Sequence, residues 1–429
     1  MANERARAIE AVSAPGAVIG VGPGCGTPTT LLQLVADHAD VTAPAQLWAG
    51  LLLGDVPLDA FQEGAIELHT WHVTRTTRQL IADGLAAFHP LRGSDVPAAL
   101  ARRGLDTALV RVTPPDRHGF VSLGTSVSYT RAMTATTPTV LGEVDEAMPR
   151  TAGDSLVHRS RFAALVATES PTPEYEARTP GTTAQRIANN LIPLLPPNPC
   201  VQLGIGEIPE AVTGLLGDTD LGSLRCIGMG NDAMVDLFDR GVLDHRQLTP
   251  EPAIAAVELM GSRRLLDHAH DNPAIGVYPV DHAGDPGPLG KLDRFVSINS
   301  AVEVDLLGQV SAEWAAGRQL SSIGGSVDFS EAARASRGGL RIIAISARGR
   351  DASRITARFQ PGTPVSLTRT MVDFVVTEHG VAELRGASVE DRRERLIAIA
   401  DPDDRDHLAA TSRELVAADA RGPSSSLPR

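Results

Sequence analysis

Aromatic side chains are scarce in this sequence, making up 3% of its 429 residues. Aliphatic side chains must therefore fill the cores, and the scarcity argues against nucleic-acid binding through stacked aromatic rings. Positive charge is also limited, since Lys291 is the single lysine and the formal net charge is −13. An extended phosphate-binding surface for nucleic acid is therefore not expected. A few arginines remain available to bind one anionic ligand.

Cysteines are few and long apolar runs are missing. Cys25, Cys200 and Cys226 are the only cysteines, and their spacing forms neither a disulfide framework nor a CxxC metal site. We therefore expect free thiols and no bound metal. The segment Met1–Ala11 lacks the apolar centre of a signal peptide, and no run is long enough to span a bilayer. These features predict a cytoplasmic protein without a membrane partner.

Short β-branched runs that end in glycine or a turn recur along the chain, with helical periodicity between many of them. The strand-like runs are Ala17–Gly22, Ala108–Pro114, Thr139–Val144, Val201–Gly206, Ile254–Met260, Arg294–Asn299, Leu340–Ser346 and Val372–Thr377. The helical segments are Thr29–His38, Thr76–Leu85, Gln185–Leu195 and Val389–Ile399. Two capping boxes, Thr182 with Gln185 and Ser388 with Asp391, predict helix starts. The alternation predicts an α/β fold with parallel sheets, in which ligands bind where strands end.

The length of the chain favours two domains. The segment from Thr168 to Thr183 is rich in proline and threonine and has no apolar periodicity, which is typical of a linker. We therefore predict one α/β domain over residues 1–175 and a second over residues 176–420. The tail over residues 421–429, RGPSSSLPR, is predicted to be disordered.

Glycine-rich turns are the main candidates for a binding site. In LGIGEIPEAV, a strand ends in Gly204, Ile205 and Gly206, and Pro209 is predicted to open a helix at Ala211. Glycine lets backbone N–H groups approach a ligand, and a helix N-terminus favours an anion or an oxyanion. A plain tight turn between a strand and a helix explains the same pattern about as well.

Two further segments carry polar groups beside strand-like or glycine-rich stretches. SINSAVEVDLLGQ begins with Asn299, whose side chain can donate an N–H, and its alternation predicts a strand. IGGSVDF contains two adjacent glycines that offer backbone donors. Asp328 in that segment is interpreted as a structural cap of the following helix.

Six ordered motifs together resemble a known family. The stretches are VTPPDRHGFVSLGTSVS (Val112–Ser128), EVDEAMPRTAGDS (Glu143–Ser155), LGIGEIPEAV, INSAVEVDLLGQV (Ile298–Val310), IGGSVDF and VVTEHGVAELRG (Val375–Gly386). They resemble the acetyl-CoA hydrolase/transferase group of the family I CoA-transferases, which includes 4-hydroxybutyrate CoA-transferases. The resemblance runs from about residue 17 to about residue 408.

The resemblance implies two related open α/β domains with the active site between them. It implies an acyl-CoA substrate, a carboxylate acceptor and a homodimer. Members of the family use a glutamate that attacks the thioester and then carries CoA. By motif position, Asn299 and a backbone N–H of Gly324 or Gly325 would hold the oxyanion. The CoA channel would be lined by Gly204, Ile205, Gly206, Gly324, Gly325 and Ser326.

This chain departs from the family at the nucleophile. The family stretch that resembles HTEMFSDGVVDL matches CIGMGNDAMVDL, which places Gly228 at the glutamate position. The family's MPRTHG histidine is replaced by Ala152. Three hypotheses follow, and in the first another carboxylate, with Glu207 the best candidate, replaces the glutamate. In the second, a general base drives non-covalent hydrolysis of a thioester or of a C–C bond in a β-keto acyl-CoA. In the third, the protein binds acyl-CoA without catalysis. A structural acid at a helix N-terminus is the alternative role for Glu207.

Four other residues are candidate ligands. His69 and His72 form a pair without an evident third metal ligand, which favours structural roles. Arg75 and Arg78 are candidate phosphate partners for CoA, although solvated surface arginine is the stronger interpretation.

Overall fold

Two largely parallel β-sheets flanked by helices form the protein, which confirms the predicted α/β class. The computed structural model describes residues 2–243, 253–315, 317–350 and 352–421. Each of the predicted strand-like runs overlaps a strand. The runs are mostly aliphatic because a parallel strand is covered on both faces, as in Ile254–Leu259, where every residue is buried and only Glu258 is charged.

The first sheet has seven strands, all from residues 2–168, which form the first part of the chain. Its spatial order is β10-β7-β5-β1-β2-β3-β4, and every pairing is parallel. The strands are β1 Val18–Val21, β2 Ala45–Ala49, β3 Ile66–Thr70, β4 Ala86–Phe88, β5 Thr107–Val112, β7 Thr139–Val144 and β10 Ala164–Ala167. Short strands β6 Phe120–Ser122 and β9 Leu156–His158 pair separately, and β8 is Ala152–Gly153. The helices here are α1 Ala2–Val12, α2 Thr29–His38, α3 Leu58–Gln62, α4 Arg75–Ala82, α5 Val96–Arg103 and α6 Thr130–Thr136.

The second sheet has nine strands in the order β23-β22-β20-β15-β11-β12-β13-β14-β8. Only β23 runs antiparallel to its neighbour. The strands are β11 Cys200–Leu203, β12 Arg225–Gly230, β13 Ile254–Leu259, β14 Ile275–Val277, β15 Phe295–Asn299, β20 Leu340–Ala344, β22 Phe374–Thr377 and β23 Gly380–Glu383. Shorter strands outside this sheet are β16 Glu303–Asp305, β17 Val310–Ser311, β18 Trp314–Ala315, β19 Arg318–Gln319 and β21 Ile355–Thr356. The helices are α7 Thr182–Leu191, α8 Glu207–Leu216, α9 Ala233–Asp239, α10 Arg263–Ala269, α11 Val280–Ala283, α12 Pro286–Leu289, α13 Ser326–Ala335, α14 Val389–Ala398 and α15 Pro402–Arg421.

Residues from the first part of the chain extend the second sheet. Strand β8 pairs with β14. Beyond the end of β14, the segment 125–128 runs beside β13, where the Leu259 N–H donates to the Thr125 carbonyl at 2.8 Å and the Ser128 N–H donates to the Val257 carbonyl at 3.0 Å. The carboxyl end of β13 is therefore embedded where the two parts of the chain meet.

Two predicted helix starts are wrong, and one is confirmed. Helix α8 begins at Glu207 rather than Ala211, because Pro209 is its third residue, where the missing N–H removes no helical bond. Thr182 does not cap α7: Gly181 is the N-cap, and the Gln185 amide donates to the Pro180 carbonyl instead. Ser388 and Asp391 form the predicted capping box.

The connecting segment 169–181 has no regular secondary structure but is fastened to the first part of the chain. The Thr172 hydroxyl donates to Asp145 at 2.6 Å, and the Arg111 guanidinium donates to the Pro171 carbonyl at 3.1 Å. The predicted disordered tail lies outside the described residues, except for Arg421. No helix in the described ranges has both the length and the apolar character needed to cross a bilayer.

Candidate functional site

A cleft of about 840 Å³ opens at the carboxyl end of the second sheet. Its floor comes from residues that follow β11, β15 and β20, namely Gly206, Ser300 and Ser346. Because these strands are neighbours and parallel, their ends meet at one edge of the sheet. The connecting segment closes one side through Tyr175 and Arg178. The cleft thus lies where open α/β sheets bind ligands.

The turn 204–206 gives the cleft a set of backbone donors. Gly206 has φ +113°, a conformation that other residues rarely adopt. The next residues begin α8, whose first N–H groups have no intrahelical acceptor. Within the described part of the chain, no hydrogen bond is formed by the N–H groups of Gly206, Glu207 or Ile208. Ile205, Gly206, Glu207 and Ile208 all line the cleft, but Gly204 does not.

Glu207 is the first residue of α8 and lies at the rim of the cleft. Its side chain is 44% exposed, and one carboxylate oxygen is 3.8 Å from the guanidinium of Arg178, which is itself 81% exposed. A carboxylate at this position stabilises the helix dipole by a few tenths of a kcal/mol, roughly 0.3–1. Both proposed roles of Glu207, helix acid and catalytic group, are therefore compatible with its place.

Asn299 ends β15, next to β11. Its amide nitrogen donates to the Ser297 hydroxyl at 2.8 Å and to the Gln202 side-chain oxygen at 3.3 Å. Both N–H bonds of the amide thus point to protein acceptors, and an oxyanion would have to replace one of them. The predicted strand after Asn299 is confined to β16.

The IGGSVDF segment packs against the first part of the chain. The Gly324 carbonyl accepts from the Gly93 N–H at 2.9 Å, and Gly325 is the N-cap of α13. No described residue accepts a hydrogen bond from the N–H group of either glycine. Ser326 is buried, and its hydroxyl donates to the Ile323 carbonyl at 2.8 Å.

Asp328 is not the helix cap that the sequence suggested. It is fully buried in the first turn of α13. Its carboxylate accepts from the Ser94 hydroxyl at 2.7 Å and the Ser94 N–H at 3.1 Å. The Arg92 guanidinium lies 3.5 Å away. Asp328 therefore joins α13 to a turn in the first part of the chain.

Gly228 lies in β12 at a break in strand register. It has φ +103°, and a Cβ atom added there would be 3.0 Å from the Leu203 carbonyl oxygen and 3.3 Å from a Gln202 side-chain carbon. The local backbone is therefore suited to glycine and would be strained by a side chain.

Comparisons with known proteins match both parts of the chain. Residues 2–174 match the acetyl-CoA hydrolase/transferase N-terminal domain, and residues 261–412 match the corresponding C-terminal domain. The chain belongs to the acetyl-CoA hydrolase/transferase family.

Similar proteins include two CoA-transferases and one protein of known crystal structure. The 4-hydroxybutyrate coenzyme A transferase of Clostridium kluyveri is 37% identical over 337 residues, covering 77% of this chain and 78% of that protein. The butyryl-CoA:acetate CoA-transferase of Anaerostipes caccae is 34% identical over 397 residues, covering 89% of each. RipA from Yersinia pestis superposes with a TM-score of 0.87 at 30% identity, covering 95% of this chain and 97% of that one.

These matches confirm an enzyme family whose members handle CoA and its thioesters. The roles of the individual predicted residues stay predictions. The structure places Ile205, Gly206 and Glu207 along one cleft, whereas Asn299, Gly324, Gly325 and Ser326 are not among its lining residues. Among the described residues, His, Cys, Asp and Glu form no group of three or more that could hold a metal.

The remaining candidates have mainly structural surroundings. His69 stacks on Trp48 with ring centroids 4.5 Å apart, and its Nδ1 lies 3.0 Å from His89 Nε2. Burial lowers the pKa of His72 to about 4. The Arg78 guanidinium donates to the Leu320 carbonyl at 2.6 Å, so this arginine also links the two parts of the chain.

Glu210, which sequence reasoning did not single out, is a buried acid in α8. It is 7% exposed, and one of its oxygens has no hydrogen-bond partner among the described residues. Burial, assisted by the Asp232 carboxylate, raises the pKa of Glu210 to about 7. An acid beside the apolar residues Pro209, Ala211 and Val212 of α8 was the available signal.

Replacing Glu210 with glutamine should stabilise the protein in alkaline solution. The unfolded chain loses this proton near its ordinary pKa, whereas the folded protein retains it up to about pH 7, so stability falls as pH rises between the two values. Glu210→Gln should therefore raise the free energy of unfolding by up to about 3 kcal/mol at about pH 8, and by much less at about pH 5. Urea denaturation at both pH values measures the difference. The exposed Glu67→Gln serves as control, and an equal effect at both pH values would contradict the assignment.

Proposed function

We propose that this protein binds a small acyl-CoA along the cleft beside Gly206 and acts on its thioester at the domain junction. The observation that carries the proposal is the cleft itself, formed by three adjacent strand ends and by N–H groups at the start of α8 that have no acceptor among the described residues. Its volume of about 840 Å³ falls within the range of roughly 300–1,000 Å³ that small-molecule sites occupy.

Three arginines of the cleft are candidates to bind the phosphates of CoA. The chain is acidic overall, yet Arg178, Arg348 and Arg354 all line this cleft. Arg354 is half-buried, and its guanidinium lies 3.5 Å from the Ala301 carbonyl. Guanidinium groups and a helix N-terminus both favour phosphate oxygens. CoA is accordingly the ligand class, and no metal is invoked.

The thioester would lie toward the strand ends next to the cleft. Asn299 and Gly228 belong to β15 and β12, which flank β11 on its two sides. We assign the oxyanion to the Asn299 amide and a backbone N–H of Gly324 or Gly325. Removing one such donor typically costs about 2.7–4 kcal/mol of transition-state stabilisation.

The reaction class is CoA transfer to a carboxylate or thioester hydrolysis. Because position 228 is glycine, hydrolysis needs a general base or a nucleophile from another residue, and CoA transfer needs another carboxylate. Glu207 is one candidate for that group. The homodimer and the cytoplasmic location predicted from the sequence also remain proposals, the first testable by sedimentation velocity.

Turnover of acyl-CoA tests the function. The full chain is incubated with acetyl-, butyryl-, 4-hydroxybutyryl- and acetoacetyl-CoA, with and without acetate. Free CoA is followed with a thiol reagent, and the acyl-CoA products are followed by chromatography. We expect turnover of at least one thioester. Binding of CoA without any turnover would establish the silent-binding alternative, and cleavage of only a β-keto acyl-CoA would establish C–C hydrolysis.

Arg354 provides a matched test of the binding cleft. Arg354→Met should raise KM for acyl-CoA about tenfold, because one phosphate contact of roughly 1.5 kcal/mol is lost, while kcat stays close to that of the parent. Arg334→Met, an exposed arginine of α13 outside the cleft, should leave both constants unchanged. An unchanged KM in Arg354→Met would place the phosphates elsewhere.

A further inference from the structure

Glu258 is a buried carboxyl group at the carboxyl end of β13, where the two parts of the chain meet. It is 7% exposed. The segment 125–128 runs along the open edge of the strand at this point, and Ser126 forms a β-bridge with Glu258. The residue thus lies between the carboxyl ends of two parallel sheets, since the turn after β1 also reaches it.

The described residues around Glu258 include a polar side chain but no cation that neutralises its carboxylate. The Ser128 side chain partly opposes the effect of burial on the pKa of Glu258. Gly24, in the turn after β1, packs so closely that an added Cβ would be 2.9 Å from a carboxylate oxygen of Glu258. No arginine, lysine or histidine among the described residues forms an ion pair with Glu258. Among the described residues, Cys25 and Tyr129 are titratable groups near Glu258, and the negative charge of Glu258 contributes to the raised pKa of each.

Such a placement costs free energy of folding. A buried carboxyl group without a cation disfavours its charged form, and groups of this kind cluster at functional sites. Burial raises the pKa of Glu258 to about 7. Both ionisation states are therefore accessible near neutral pH.

Glu258 is also close to the position that lacks the family's glutamate. Strands β12 and β13 are paired neighbours, with Gly228 opposite Ala256 and Met229 opposite Glu258. The break in register falls between Gly228 and Met229. A carboxylate on β13 therefore stands one residue beyond Gly228, on the adjacent strand and at the same edge of the sheet.

We infer that Glu258 is the nucleophile that replaces the missing glutamate, an inference that rests on the proposed acyl-CoA function. A Glu258 oxygen bonds to the thioester carbonyl carbon, and the C–S bond breaks to release CoA thiolate and leave an acyl-glutamyl anhydride. CoA thiolate then attacks the glutamyl carbonyl, which releases the acyl group as a carboxylate and leaves a Glu258–CoA thioester. An acceptor carboxylate reverses these steps to form a new acyl-CoA, or water cleaves the thioester to Glu258 and CoA.

The pH dependence of the reaction follows from the nucleophile. Attack requires the carboxylate form, so kcat/KM should rise with pH through about pH 7 and then level off. A pH profile that is flat between about pH 5 and about pH 8 would contradict this role.

Trapping and mass spectrometry locate the nucleophile directly. The full chain is incubated with butyryl-CoA and hydroxylamine, and digested peptides are searched for a glutamyl hydroxamate. We expect the modification at Glu258. A modification at Glu207 or another residue, or turnover without any modification, would overturn the assignment.

Two variants at Glu258 and one control complete the experiment. Glu258→Gln should lower kcat about a thousandfold or more, and Glu258→Asp should recover part of it. Glu210→Gln removes another buried acid with a similarly raised pKa and should keep its turnover. Turnover by Glu258→Gln equal to that of the parent would refute only this inference. If the parent protein turns over no acyl-CoA, the proposed function itself fails. The trapped peptide of the parent does not depend on whether the variants fold.

Discussion

Replacing Arg111 with methionine should lower the free energy of unfolding by about 3–5 kcal/mol. Arg111 lies in β5 and is 1% exposed. Its guanidinium donates to the Glu143 carboxylate at 2.6 Å and to the Asp145 carboxylate at 2.7 Å. Methionine fills much of the same space but leaves two buried carboxylates facing each other without a cation. Their repulsion and their lost hydrogen bonds are the source of the expected loss.

Arg111 also holds the connecting segment. It donates to the Ser170 hydroxyl and the Pro171 carbonyl, both at 3.1 Å. Arg111→Met should therefore also increase proteolysis of this segment. Urea denaturation followed by circular dichroism measures the loss.

A surface arginine provides the control for Arg111. Arg131 pairs with Asp154 at 3.1 Å and is partly exposed, so Arg131→Met should change stability by less than about 1 kcal/mol. A loss of similar size in both variants would show that the buried ion pairs of Arg111 stabilise the protein no more than the exposed pair of Arg131 does.

Replacing Asp328 with alanine should cost about 2–3 kcal/mol and reduce turnover. The carboxylate accepts two hydrogen bonds from Ser94 in the turn that also contains Gly93. The Gly93 N–H donates to the Gly324 carbonyl, so this turn supports the glycine loop to which we assign an oxyanion donor. Without Asp328, the turn and the loop lose their common anchor.

Asp95 offers a control on the same turn. Its exposed carboxylate is 3.3 Å from the Arg92 guanidinium. Asp95→Ala should change stability by less than about 1 kcal/mol and should leave turnover intact. Equal turnover in Asp328→Ala and in the parent would show that this anchor of the glycine loop does not affect the reaction.

The strands could be predicted from the sequence because parallel strands are buried on both faces. The run that begins at Ile254 is aliphatic except at Glu258 for this reason. Helix starts were less predictable, since they depend on a few backbone bonds. Pro209 suggested a later start for α8 than the structure shows, because proline is tolerated anywhere in the first turn.

The candidate site was only partly accessible from the sequence. The turn at Gly206 was found because glycine in a strand-to-helix turn has a local signature. The partners of Asp328 and Glu258 come from the other part of the chain, and no local pattern encodes them. One signal was present: Glu258 interrupts the otherwise apolar run IAAVELM, as a charge that must have a reason to be buried.

The structure of the protein with acetonyl-CoA bound would test the account most directly, because this analogue keeps a carbonyl group but has no thioester to cleave. We expect the pantetheine arm to pass Gly206 and the carbonyl carbon to come within about 3.5 Å of a Glu258 oxygen. An analogue bound elsewhere, or a junction so filled by side chains that the arm cannot reach Glu258, would contradict it.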